Sequence, residues 1–460
     1  MAVSDSAENI YLTGVFSGNC DFDPDSLNLY MLNSNGGFDI FVMKIDSSGN
    51  FIWVQTMGGP GYDLAYKVHH KDNFIYVVGN FYDSLDVDPG TAFQQFRSCG
   101  ESDIFISKFD LNGTFIWSKQ ICGTGEDYGL ALVVDEYDQI YVSGSFMQNA
   151  DFDPGSGIQN LVSNGAKDIF ILKISSSGNF ISVQQIGGTE SDETYDMLLN
   201  TNGEIYVCGN FSNTVDFNPG PLVNNLTGTS GNLSGFIYKT DTSENFYWAK
   251  GLVGNSFTYI YKLCKDLNNN LICYGKFSAL CDFDPGSGIQ NIMSYGSYDI
   301  YVLKLTDQGD FVWVRTLGGQ SFDYATDLKL DNTDEIYFCG SFSDTTDFDP
   351  EFTVQNRIGV SMNNAFFCKW GNTGTGIFEN PMSHGIFIYP NPSGGQFIIN
   401  PQNYNENVAF IFITDLSGKI IQEIKNYMPG TLLSVNLPSG IYIIRYHFPS
   451  GIAASKLIID

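Results

Sequence analysis

The feature that most constrains this chain is a repeat. The decapeptide DFDPGSGIQN occupies residues 151–160 and again 282–291. Related segments occur six times, with the first Asp at Asp21, Asp86, Asp151, Asp216, Asp282 and Asp347, in steps of 65, 65, 65, 66 and 65 residues. A strand-like segment precedes each copy (IYLTGVF, IYVVGNF, IYVSGSF, IYVCGNF, LICYGKF, IYFCGSF), and another follows it (DIFVMK, DIFISK, DIFILK, GFIYK, DIYVLK, AFFCK). Turns such as DSSG and DLNG, with Asp first and Gly fourth, then lead into a further strand. Each unit reads as four short strands, with DFDP opening the long connection between the second and third. Six such units without helices predict an all-β fold, a six-unit β-propeller with four-stranded blades.

Composition agrees. Apolar residues make up 43% and aromatics 15% of 460 residues, with 37 Phe and 26 Tyr, a profile that suits strands and excludes disorder. The formal net charge of −29 disfavours nucleic acid and anionic lipid as partners and leaves cations, sugars or proteins. No apolar run is long enough for a transmembrane helix. Nine cysteines leave at least one unpaired in a monomer, and Cys264 and Cys273 flank a hairpin across which they could face each other.

The segments YDLAYKVHHKDNFIYVVGNF and DYGLALVVDEYDQIYVSGSF follow the line D-x-A-x-x-V-x-D…N-x-Y-V-x-G, and so resemble the SBBP family of propeller-like repeats. The resemblance implies a fold and says little about activity. It covers most of residues 1–380, where the first and last units read as incomplete: VSDSAEN is all that precedes IYLTGVF, and TGIFEN is a poor fourth strand. Residues belonging upstream of Met1, including a signal peptide, are therefore expected.

After Asn380 the period stops, and residues 381–384 read as a linker to a small β-sandwich over residues 385–460. This segment resembles the type A C-terminal sorting domain of the type IX secretion system of Bacteroidota. The resemblance rests on Tyr389-Pro390-Asn391-Pro392, on Asp415-Leu416-Ser417-Gly418-Lys419, and on Leu437-Pro438-Ser439-Gly440-Ile441-Tyr442. The chain ends in Asp460, where many members end in a basic residue. The resemblance implies signal-dependent export, with the secretion machinery as partner of residues 385–460 and a secreted or outer-membrane surface location.

Few residues offer chemistry. The D-x-D pairs Asp21/Asp23, Asp86/Asp88, Asp151/Asp153, Asp282/Asp284 and Asp347/Asp349, with Asp216/Asn218 in the fourth copy, place two oxygens on one side of a strand end. They could grip Ca²⁺, the one cofactor the sequence suggests, but Ca²⁺ takes six to eight oxygens. The competing account is that these side chains accept backbone N–H bonds where the strand ends. A comparable choice applies to Asp63, Asp127, Asp192 and Asp323, at the start of the innermost strands, which could ring a channel mouth or cap the backbone. Lys44, Lys108, Lys173, Lys239, Lys304 and Lys369 recur in the third strand, where local pairing with an acid or a solvated strand end accounts for them. Trp53, Trp117, Trp248 and Trp313 recur in the fourth and are expected to pack between blades. The sequence thus points to an exported, non-enzymatic propeller that binds an unidentified extracellular glycan or protein. The alternative is a secreted hydrolase with catalytic carboxylates in the loops, which requires carboxylates from different units to converge in a pocket.

Overall fold

The computed structural model describes residues 1–25, 27–90, 93–348, 356–359, 363–371, 386–389, 393–401, 410–414, 419–425, 431–448 and 451–459. The chain divides into two compact units, Met1–Asn372 and Thr373–Asp460. Every regular element described is a β-strand.

The first unit contains a succession of antiparallel sheets, one for each repeat, in which the strands lie side by side in chain order. Sheet three is representative: Tyr128–Val134, Ile140–Phe146, Asp168–Ile174 and Phe180–Ile186. Alternating side chains from both faces are buried, so successive sheets share apolar cores. Tyr76, Val78 and Ile104 of sheet two pack with Leu132, Val142 and Phe170 of sheet three. This succession of four-stranded sheets is compatible with a propeller.

The two outermost repeats differ from the rest. The first sheet has a fourth strand after all, the three-residue Ala2–Ser4 paired with Ile10–Phe16, where later sheets have seven to nine residues. The sixth shows three strands among the described residues, Tyr324–Leu330, Ile336–Phe342 and Asn364–Trp370.

Four of the six recurrent third-strand lysines latch one sheet to the next, a role that local pairing does not capture. Lys44 Nζ donates to the Leu111 carbonyl (3.3 Å), Lys108 to Ser176 (3.4 Å) and Lys173 to Thr242 (2.7 Å), each in the hairpin turn of the following sheet. Trp53 and Trp117 donate their indole N–H to those same Leu111 and Ser176 carbonyls, both at 3.2 Å. Lys239 instead pairs with Asp307 of the next sheet and Glu204 of its own, both at 2.7 Å. Lys304 and Lys369 find acids within their own sheets, Asp266 (2.6 Å) and Glu335. Acid pairing thus holds for three of the six, and a backbone latch for the others.

Cys264 and Cys273 are free thiols. The register pairs Cys264 with Ile272 and Leu263 with Cys273, and a one-residue offset turns the two sulfurs to opposite faces. The disulfide joins Cys99 to Cys122, with Cα atoms 5.7 Å apart.

In the second unit, Ile386–Tyr389, Gln396–Pro401 and Leu432–Ser434 form one sheet. Phe410–Thr414, Ile420–Lys425, Gly440–Phe448 and Gly451–Ile459 form another. Phe397, Ile399 and Leu433 from the first share a core with Ile411, Ile413, Ile444 and Leu457 from the second. A sandwich follows from sheets whose apolar residues alternate.

Candidate functional site

The DFDP elements have equivalent surroundings in successive units. Each first Asp ends the leading strand of a small hairpin, as in Asn149–Asp151 paired with Asn160–Val162 and Leu280–Asp282 paired with Asn291–Met293. The hairpin also clasps the preceding sheet: Asp86 exchanges backbone hydrogen bonds with Gly58 (3.1 and 3.3 Å), and Asp151 pairs with Cys122. The following Phe turns inward. Phe22, Phe152, Phe217, Phe283 and Phe348 meet Phe16, Phe146, Phe211, Phe277 and Phe342 edge-on, with centroids 5.0 to 5.5 Å apart. Val87 takes this place in the second copy and is buried.

The carboxylates flanking that Phe hold their own loop. Asp151 Oδ1 accepts from the N–H of Asp153 (3.1 Å) and of Gln159 (2.7 Å), closing the loop across eight residues. Asp21, Asp86, Asp216 and Asp282 repeat the arrangement. The second acid caps the residue two further on: Asp23, Asp88, Asp153 and Asp284 accept at 2.8 to 2.9 Å, and Asn218 does the same with its amide oxygen (2.9 Å). One neutral oxygen suffices there, which explains the Asn. Asp347 ends its hairpin strand in the same register, while Asp349 lies outside the described residues. Burial pushes the His69 imidazole down to about 3, the His70 ring stacks on Tyr11, and among the described residues neither histidine falls in a cluster of three or more possible metal ligands.

Carboxylates from different units do meet, as buried pairs between sheets. Asp63 donates its backbone N–H to Phe38 O (2.8 Å), which sets its side chain beside Asp39; Asp127 beside Asp103, Asp192 beside Asp168, and Asp323 beside Asp299 repeat this. All eight side chains are buried. Each accepts a backbone N–H, as Asp63 does from Gly59 (2.7 Å) and Asp39 from Asn35 (2.8 Å). Burial, with the neighbouring carboxyl adding to it, pushes Asp63 and Asp127 up to about 8, Asp192 to about 7 and Asp299 to about 6. Between sheets four and five both acids give way together, to the buried Ser234 and Thr258.

The most distinctive surface chemistry lies where sheets five and six meet. Tyr259 and Tyr261 come from the inner strand of sheet five, and Tyr324 from that of sheet six, while Tyr298 precedes the third strand of sheet five. Tyr298 contacts Phe322 (5.9 Å), which stacks on Tyr324 (6.2 Å, 8° between planes). Phe322 is 47% exposed. Lys276, on the second strand of sheet five, sends its Nζ among these rings, 4.3 Å from the Tyr324 centroid, 4.6 Å from Tyr298, 4.7 Å from Tyr259 and 5.7 Å from Tyr261. The sequence reading passed over Lys276. Its signal was available: the middle residue of the G-x-F triplet ending each second strand is Val15, Asn80, Ser145, Asn210, Lys276 and Ser341, so one unit alone carries a cation there.

In the second unit, Lys419 is exposed, Gly440 begins its strand, and the Tyr442 hydroxyl donates to Pro438 O (2.8 Å) beside the sandwich core. Tyr389 pairs with Ile398. Pro390, Asn391, Pro392 and Gly418 lie outside the described residues.

The chain is 24% identical over 361 residues to an uncharacterized WD repeat-containing protein of Acanthamoeba polyphaga mimivirus, covering 66% of this chain and 26% of the relative. It is also 24% identical over 161 residues to the regulatory protein FlaEY of Caulobacter vibrioides, covering 35% of this chain and 17% of the relative. The chain thus spans about a quarter or less of the length of these curated relatives. A protein of unknown function from Bacteroides caccae aligns in structure at 10% identity with a TM-score of 0.27, covering 66% of this chain and 93% of that one. Residues 387–460 match the secretion system C-terminal sorting domain. The protein therefore carries the type IX sorting domain at its C-terminus and is secreted through that system to the cell surface or the extracellular space.

Proposed function

We propose that this is a non-enzymatic β-propeller of six SBBP-like repeats, delivered by its sorting domain to act as a binding module for extracellular glycans or proteins. Closure into a ring is supported by contacts between sheets that are not neighbours in sequence. Lys67 of sheet two pairs with Asp196 of sheet four (2.6 Å). Lys262 of sheet five lies 3.8 Å from the Met1 sulfur, next to sheet one. Inner strands that surround an axis converge in this way.

The observation that carries the binding reading is the tyrosine cluster between sheets five and six, whose rings are half-buried around Lys276 and run outward to the exposed Phe322. Half-buried aromatic rings beside an exposed one suit sugar rings and protein side chains alike. The loop carboxylates that a hydrolase would need are engaged by their own backbone, which favours binding over catalysis. We read the D-x-D pairs as caps of their loops on the same ground.

The test is an array of polysaccharides and extracellular proteins probed with the full-length chain and with a Phe322→Ala/Tyr324→Ala variant. The expected result is a ligand retained by the wild type and lost by the variant. Failure of the wild type to bind, or equal binding by the variant, refutes the reading.

A further inference from the structure

We propose that Lys276, with Tyr259, Tyr298, Phe322 and Tyr324, forms a site for the carboxylate-bearing rings of an acidic polysaccharide. The proposal rests on the binding-module reading and names the ligand class for that same surface. The argument begins from charge. The chain carries 51 acidic against 22 basic residues, so a lysine buried to 9% exposure would be expected to sit against a carboxylate. Five other inward lysines do: Lys67 with Asp196, Lys167 with Glu193, Lys239 with Asp307, Lys262 with Asp327 and Lys304 with Asp266, while the buried Lys108 donates to the Ser176 carbonyl instead. Among the described residues Lys276 has no such ion pair, and four tyrosine faces surround its Nζ. Glu193, the acid that opens the inner strand of sheet four, is held by Lys167 (2.9 Å) and by the Tyr195 hydroxyl (3.0 Å).

Ring faces offset part of the desolvation of an ammonium without neutralising it. An ammonium among rings, next to the exposed Phe322, therefore offers two complementary contacts to one ligand. The charge takes a carboxylate, and the aromatic edge takes the C–H face of a pyranose. Burial lowers the Lys276 ammonium to about 8, so its charge is sensitive to mildly alkaline conditions. Asn80 and Asn210 occupy the matching position in sheets two and four, which makes Lys276→Asn a substitution the repeat already accommodates.

The experiment titrates full-length protein with oligogalacturonate, with a neutral galactose oligomer and with a glutamate-rich peptide, followed by calorimetry. Wild type is expected to bind the uronate, Lys276→Arg to retain binding, and Lys276→Asn to lose at least about tenfold in affinity, about 1.4 kcal/mol. Wild-type affinity should also decline as pH rises through about 8. The last measurement needs no variant and stands if Lys276→Asn misfolds. Equal uronate affinity in a folded Lys276→Asn protein overturns the proposal, as does a flat pH profile. If the neutral oligomer or the peptide binds and the uronate does not, the ligand class is wrong and the binding module stands. If an array also yields nothing, both fall.

Discussion

The buried acid pairs between sheets make a quantitative prediction about pH. Asp39 and Asp63 lie side by side with almost no exposure, and a Cβ added at Gly58 would collide with the Asp39 carboxyl. Between sheets four and five the three corresponding positions are Ser234, Val253 and Thr258, so acids and glycine change together. Grafting that arrangement as Asp39→Ser, Gly58→Val and Asp63→Thr should remove the titration and keep the packing. Burial is the main cause holding Asp63 up at about 8, against 3.8 in an unfolded chain. A raised folded-state value means that the protonated carboxyl favours the fold. Its contribution is complete below about pH 4 and is lost as pH climbs toward 8. At pH 7 the gap from 3.8 sets a ceiling of about 4.5 kcal/mol, at about 1.4 kcal/mol per pH unit. Water entry and side-chain relaxation on ionisation reduce this to roughly 2 kcal/mol. Losing the backbone bonds from Asn35 and Gly59 adds a penalty of about 1 kcal/mol each that does not vary with pH, so the slope is the quantity to read. Melting measured from pH 4.5 to 8 should therefore fall less steeply in the triple variant, by roughly 3 °C over the range. Parallel curves for the two proteins would refute the reasoning.

Other consequences are separable. Phe152→Ala should cost about 3–5 kcal/mol in denaturant unfolding, because it empties a packed contact with Phe146 and Phe170. Asp153→Asn should be nearly silent, as Asn218 already fills that role, while Asp151→Ala should cost about 1–2 kcal/mol by releasing two loop N–H groups. If the D-x-D pairs are caps, millimolar chelator leaves the melting curve unchanged; a drop that calcium reverses would assign them to Ca²⁺.

Much of the fold was legible because the same local signals recur six times. The step of the DFDP copies located every unit, and the Asp-to-Gly turns marked the hairpins. What escaped were relations across sheets, on which sequence spacing is silent. The lysine latch joins Lys108 to Ser176, 68 residues on, and the acid pairs join the third strand of one sheet to the first of the next. Cysteine pairing failed for a finer reason: a single-residue offset in register decides whether Cys264 and Cys273 share a face. The candidate site was hidden in the one respect that defines it. Lys276 departs from the repeat, and reading the units for likeness passes over the position where one differs.

The proposed ring accounts for the ion pair between sheets two and four, and one double-mutant cycle tests it. Lys67 and Asp196 come from sheets two and four, and they meet at 2.6 Å with side chains only 14% and 6% exposed. Removing each alone and both together, as Lys67→Ala and Asp196→Ala, isolates their coupling from other effects of substitution. A closed ring predicts a coupling of roughly 1.5–3 kcal/mol in unfolding free energy, reduced little by salt because the pair is buried. A coupling below about 0.5 kcal/mol would mean that the two strands do not face each other across an axis, and would contradict the propeller.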